Sequence, residues 1–145
     1  MLKIKKAENR ETLDACLCVR NAVFTVEKNI SKEIEVDEND TLTGRCDHFL
    51  LKYDGKPAGA LRCMRIGNGT VKLQRFCILK EFRNQGLGRK ITEFVEGYYR
   101  NNSFARVELD AKYEAFEFYE KCGYRKVSEL FEEAGIPHVK MVKEL

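Results

Sequence analysis

No stretch of this chain approaches the roughly 20 consecutive apolar residues that cross a bilayer. Its first residues, Met1-Leu2-Lys3-Ile4-Lys5-Lys6, alternate charged and apolar groups and lack the apolar core of an export signal. These absences predict a cytoplasmic protein with no membrane partner. A basic tract is also missing: the net charge is only +3 and the lysines and arginines are scattered, so no nucleic-acid partner is expected. The longest like-charged neighbourhood is acidic, Glu33 to Asp40. There is no internal repeat, low-complexity tract or linker, and 145 residues read as one domain, 1–145, with material for a real core. Without an export signal the six cysteines need not pair, and Cys16-x-Cys18 has the wrong spacing for a zinc or redox pair. They are expected to be reduced, mainly buried thiols, and no metal site is expected.

What is present centres on Leu73 to Gly88, LQRFCILKEFRNQGLG. An apolar strand ends at Leu79, a charged turn follows, and Arg83-Asn84-Gln85-Gly86-Leu87-Gly88 leads into an amphipathic run. A strand that delivers a glycine-bearing loop onto a helix N-terminus makes a cradle for phosphate. The backbone N–H groups from about Gln85 to Lys90 are the helix's orphan donors, and Arg83, Arg89 and Lys90 add positive charge. The loop is not a Walker loop, because no Gly-Lys-Ser/Thr follows at the required gap, and it is not a dinucleotide fingerprint.

Around this stretch the chain alternates as an α+β domain. Leu2 to Lys6 reads as a strand, and Asn9 caps a helix on which Leu13, Cys16, Leu17, Arg20, Val23, Phe24 and Glu27 recur. Arg20 and Glu27 therefore fall on an apolar stripe; either the stripe ends over a polar cleft, or both snorkel from its edge. Ser31 to Gly44 is an acidic loop with one short helical turn. Strands over 47–53, 58–66 and 70–79, joined by turns at 54–57 and 67–69, form an antiparallel meander. Ile91, Phe94, Val95, Tyr98 and Tyr99 mark a helix face that ends at Asn101-Asn102. A strand over 104–109, a helix over 111–122 and a short strand over 124–127 come next. A polar connection over 128–135 then leads to a final strand over 138–142. Strand-helix-strand order predicts right-handed crossovers with parallel strands.

Arg83-x-x-Gly86-x-Gly88 after a strand resembles the acyl-coenzyme A motif of the GNAT N-acetyltransferase superfamily. So does Ala115-Phe116-Glu117-Phe118-Tyr119-Glu120-Lys121-Cys122-Gly123-Tyr124, which is similar to that family's A-x-x-F-Y-x-x-x-G-F/Y signature. The ordered pair is specific, and the resemblance spans nearly the whole chain. Arg20-x-x-Val23-Phe24-x-x-Glu27, Glu35-x-Asp37 and Gly135-Ile136-Pro137-His138 resemble a small, mostly uncharacterised bacterial subgroup. The resemblance implies a GNAT-like fold: a mixed central sheet of about seven strands, an antiparallel meander then parallel strand-helix units, with about four helices. It implies acetyl-coenzyme A (acetyl-CoA) as co-substrate, with its pantetheine arm along Phe76, Cys77 and Ile78 where two strands splay. The pyrophosphate would lie on the loop Arg83, Asn84, Gln85, Gly86, Leu87, Gly88, Arg89 and Lys90. A backbone N–H near Cys77 or Ile78 would polarise the thioester. Tyr119 matches the tyrosine that protonates the leaving thiolate, although its place on an apolar stripe also suits a core residue.

The implied reaction is direct attack by a primary amine of a small polar metabolite. A non-catalytic acyl-coenzyme A sensor and a protein or peptide amine acetyltransferase are the alternatives. Glu27, Glu108, His138 or a carboxylate acting through water are candidates to take the amine's proton. Cys77 as an acyl carrier is the remote alternative, and His48 reads as a strand-edge residue. Arg20, Glu27, Glu35, Asp37, Arg75 and His138, with Arg62, are expected around the acceptor. The chain is expected to act as a monomer or homodimer.

Overall fold

The computed structural model describes residues 1–145. Strand β1 (Leu2–Lys6) pairs antiparallel with β2 (Cys46–Tyr53), which begins the meander β2, β3 (Lys56–Gly67) and β4 (Thr70–Ile78). Asp54 and Gly55, both at positive φ, make the first tight turn, and Asn68 and Gly69 make the second. Helix α3 (Leu87–Asn101) crosses from β4 to β5 (Arg106–Lys112), which pairs parallel with β4. The sheet order is β1-β2-β3-β4-β5-β8-β6, with β7 (Phe131–Glu133) against β8 (Ile136–Glu144) and β6 covering Arg125–Lys126. β8 pairs antiparallel with both β5 and β6, so the β5-helix-β6 unit keeps its parallel direction with β8 inserted between its strands.

Alternation along the strands builds two layers of core. Leu61, Cys63, Val71 and Leu73 face α3, whose Leu87, Ile91, Val95 and Tyr99 recur every four residues and are all buried. On the opposite face Ala60, Cys77 and Leu50 pack against Cys16, Val19 and Val23 of the first helix. No helix is long and apolar enough to cross a membrane.

Three segments differ from the sequence expectation. The first helix is α-helical only over α1 (Arg10–Arg20) and continues as a π-helical stretch, Asn21–Glu27, in which the Lys28 N–H reaches the Val23 carbonyl at 3.0 Å. The wider turn moves Glu27 off the buried stripe onto a half-exposed rim. The helix expected over 111–122 shortens to α4 (Phe116–Lys121) after a 3-10 turn, because Ala111 and Lys112 extend β5 against Val139 and His138. The connection over 128–135 contains β7, closed onto β8 by Ala134 and Gly135 at positive φ. The acidic loop carries the expected helical turn, α2 (Lys32–Glu35).

Candidate active site

β4 and β5 pair only from Thr70 to Lys72 against Arg106 to Glu108, and then diverge. The divergence has a local cause. Arg75 adopts φ +51°, and Arg75 and Phe76 are both accommodated between the pairs Arg62↔Gln74 and Ala60↔Cys77. This β-bulge bends β4 away from its neighbour. The gap opens into a cleft of about 590 Å³ lined by Phe76, Cys77 and Ile78 from β4, the loop from Arg83 to α3, and Ala115, Phe118 and Tyr119.

One end of the cleft is a row of free donors. From Asn84 to Arg89 no backbone N–H has a partner within the chain, and the first helical bond is Lys90 N–H to the Gly86 carbonyl at 3.2 Å. Gly86 caps the 15-residue helix at φ +77°, a conformation glycine adopts without strain. Gly88 answers a different need: a β-carbon there would lie 3.2 Å from Phe76 Cζ and 3.4 Å from Phe118 Cζ. These residues fit a phosphate at a helix N-terminus followed by a narrow apolar channel.

The channel leads to Tyr119, whose ring packs near Phe76, Phe118 and Tyr124 while its hydroxyl has no hydrogen-bond partner in the chain. Burial, with a smaller contribution from Cys122, pushes its phenol above the usual tyrosine range, so the group stays protonated. On β4 the Leu79 N–H points to the Ala58 carbonyl. Alternation then turns Cys77 the same way and Ile78 toward the gap, leaving Ile78 rather than Cys77 as the N–H donor that faces the cleft. The Cys77 thiol is buried and pushed up to about 12 by that burial, which opposes an acyl-carrier role.

Several residues expected in the site are engaged by other groups of the protein or stand elsewhere. Arg83 lines the cleft, but its guanidinium is already engaged: its Nε donates to the Ile78 carbonyl at 2.9 Å and its fork grips Glu27 at 2.8 and 2.7 Å. Hydrogen bonding from Arg83 holds the Glu27 carboxyl below its usual range, which makes it a poorer base. Arg20, placed by its spacing either over an open cleft or snorkelling, does neither. It is 1% exposed and its guanidinium bonds Glu35 Oε1 at 2.6 Å and Asp40 Oδ1 at 2.6 Å. Glu35 is 3% exposed, so neither residue has surface to offer an acceptor. Arg62, also buried, bonds Asp37, Asp40 and Gln74. Only Asp37 and Arg75, paired at 3.5 Å, keep about a quarter of their side-chain surface at the edge of this network.

His138 is buried with its ring stacked on Phe131, its Nδ1 donating to the Ile136 carbonyl at 2.7 Å and its Nε2 3.7 Å from Glu133. It stands opposite Lys112 at the end of β5 and does not line the donor cleft. Glu108 pairs with Lys140 at 3.4 Å. His48 is not an edge residue: it is buried in β2, 3.2 Å from the Asn39 carbonyl, and burial lowers its pKa. Sequence reading missed Asp40 and Gln74 in the buried network and Lys28 in the cleft lining. Asp40 had a signal in its acidic run, but an acid that enters the core is distinguished only by its arginine partner. All six cysteines are free, and all but Cys18 are buried.

The acetyltransferase (GNAT) domain profile matches residues 17–145. YjcF of Bacillus subtilis (strain 168), an uncharacterised N-acetyltransferase, is 39% identical over 99% of this chain and 100% of its own length. A crystal structure of a Lactobacillus plantarum protein superposes with TM-score 0.93 at 30% identity, covering 99% of this chain and 98% of that one. An acyl-CoA N-acyltransferase from Pseudomonas aeruginosa superposes with TM-score 0.83 at 28% identity, covering 99% of each chain.

Proposed function

This chain belongs to the acetyltransferase (GNAT) family, and on that premise we propose that it transfers an acetyl group from acetyl-CoA to the primary amine of a small polar metabolite by direct attack. The observation that carries this reading is one cleft with a row of free N–H donors at one end and the unpartnered Tyr119 hydroxyl at the other. Bound there, the co-substrate supplies a thioester carbon open to nucleophiles. The N–H groups from Asn84 to Arg89, with the α3 dipole, hold the pyrophosphate. Phe76 and Phe118 line the channel for the pantetheine arm, and the Ile78 N–H is aimed at the thioester oxygen. Tyr119 gives its proton to the departing sulfur and excludes water with the rings around it.

Arg75 at the bulge and Asp37 of the acidic loop beside it, each partly exposed, suit an acceptor that carries its amine together with a second charged group. Acceptors larger than a metabolite, such as peptide amines, are distinguished by turnover. Free coenzyme A is expected to raise the melting temperature, because a ligand specific for the folded state must stabilise it. Acetyl-CoA with a panel of amines, amino sugars, polyamines and peptides is expected to release thiol with small amines. Tyr119→Phe is expected to keep the stabilisation and lose about a hundredfold in turnover. Stabilisation without turnover on any amine would favour a binding module, and turnover on peptides alone would move the acceptor class.

A further inference from the structure

The bulge in β4 opens the gap and also re-aims a side chain. Leu73 packs in the α3 layer, and Gln74 turns to the other face, where Arg62 donates to its Oε1. Regular alternation would send Arg75 back toward α3. Instead Arg75, at φ +51°, stays on the side of the acidic loop, its Nε donating to the Glu35 carbonyl at 3.1 Å. Phe76 takes the α3 side, near Phe118 and Tyr119, and lines the cleft. Left-handed backbone strains a residue with a β-carbon, and here the strain sets a guanidinium one residue from the cleft wall.

Arg75 is also the arginine left short of acceptors. Arg20 holds Glu35 and Asp40, each at 2.6 Å. Arg62 holds Asp37 at 2.8 and 3.2 Å, Asp40 at 3.1 Å and Gln74 at 2.9 Å. Every nitrogen of those two guanidiniums is used, and both side chains are buried. Arg75 Nη2 reaches Asp37 only at 3.5 Å, its Nη1 meets no acceptor in the chain, and its side chain is partly exposed. Burial, then the charges of Arg62 and Arg20, lower its pKa, although an arginine stays charged. Two parallel N–H groups on one guanidinium edge match the two oxygens of a carboxylate. A dianion would bring its second charge against Asp37.

We propose that Arg75 sets acceptor specificity, its Nη1–Nη2 edge holding a carboxylate of the amine substrate, so that the acceptors are amino acids or related amino-carboxylates. The inference rests on the acetyl-transfer reading above and supplies the sign of the acceptor's second charge. With the carboxylate seated on the acidic-loop side of the bulge, the amine is free to extend past Phe76 into the cleft.

The test follows thiol release from acetyl-CoA by the full chain with matched acceptors. These are amino acids with increasing separation of amine and carboxylate, their primary amides, and the corresponding phosphonates. The carboxylates are expected to exceed the amides about tenfold to a hundredfold in kcat/KM. Arg75→Gln should bring that ratio close to one, and Arg75→Lys, which keeps the charge without the fork, should retain part of it. A residue that merely pinned the acidic loop would, when removed, slow acids and amides alike and leave the ratio intact. Equal rates on acids and amides, preference for amides or phosphonates, or a ratio that survives in Arg75→Gln would overturn the inference while acetyl transfer stands. If Arg75→Gln does not fold, the native ratio and Arg75→Lys decide in the same way. Stabilisation by coenzyme A without turnover on any amine would remove the transfer reading and the inference with it.

Discussion

At Gly88 a methyl group would press on Phe76 and Phe118, the two rings that narrow the proposed channel, whereas at Gly86 it would meet open space but force a side chain into left-handed backbone. The two glycines of one motif therefore predict different losses. Gly86→Ala should cost about 1 kcal/mol of stability from backbone strain and show in the unfolding midpoint. Gly88→Ala should mainly raise KM for acetyl-CoA, because the rings must shift a few tenths of an ångström into the channel. Sequence spacing flagged both residues and could not tell these reasons apart, since the difference lies in Phe76 and Phe118, 12 and 30 positions away. The same holds for Arg20. Its helical spacing put it on the buried stripe correctly, but its partners, Glu35 and Asp40, come from a loop with no periodic signal. Removing one side of such a buried pair leaves a stranded charge, so Arg20→Ala should destabilise the fold by about 3–5 kcal/mol, read by denaturant unfolding.

At the scale of elements, the first helix joins the sheet to the site. Asn9 caps it, accepting from the Thr12 N–H at 2.9 Å, and Asn9→Ala should cost about 1 kcal/mol without changing the cleft. Its other end widens into a π-helical stretch whose last residue, Glu27, reaches the cleft rim and whose C-cap, Lys28, lines the cleft. The cap was legible in sequence because it is local. The π stretch was not, because apolar spacing cannot separate a wide turn from an α-helical one when Val23 alone is buried over seven residues. β5 shows the opposite bias: helix-compatible residues at Ala111 and Lys112 are held extended by pairing with β8, a contact made across 26 or more positions.

Across the whole molecule, three arginines and three acids form one buried or half-buried network that ties the acidic loop to β3 and to the bulge in β4. Burial would raise the Asp40 carboxyl, but hydrogen bonds from Arg20 and the Asp37 N–H outweigh it and hold it at about 2. Asp37 is lowered in the same way, its burial outweighed by Arg62 and the Asn39 N–H. Because an unfolded aspartate titrates near about 4, these groups add stability above that pH and lose it as the pH falls toward about 2. The melting temperature is therefore expected to drop steeply over that interval, and Asp40→Asn should flatten the drop while lowering stability at neutral pH. The α+β order, the strands and turns of the meander and the loop entering α3 were legible in the residues themselves, because periodicity, turn chemistry and capping act between near neighbours; the link from that loop to Tyr119 came only through the resemblance of two ordered motifs to a family. That the acidic loop folds into the molecule, and that Arg83 serves Glu27 and Ile78, emerges only in three dimensions. Those outcomes depend on charges brought together from distant positions, and no local pattern encodes which charge finds which partner. At Leu73 to Gly88 the two meet: local rules lay down a strand, a loop and a helix, and the bulge at Arg75 opens the gap that makes them a site.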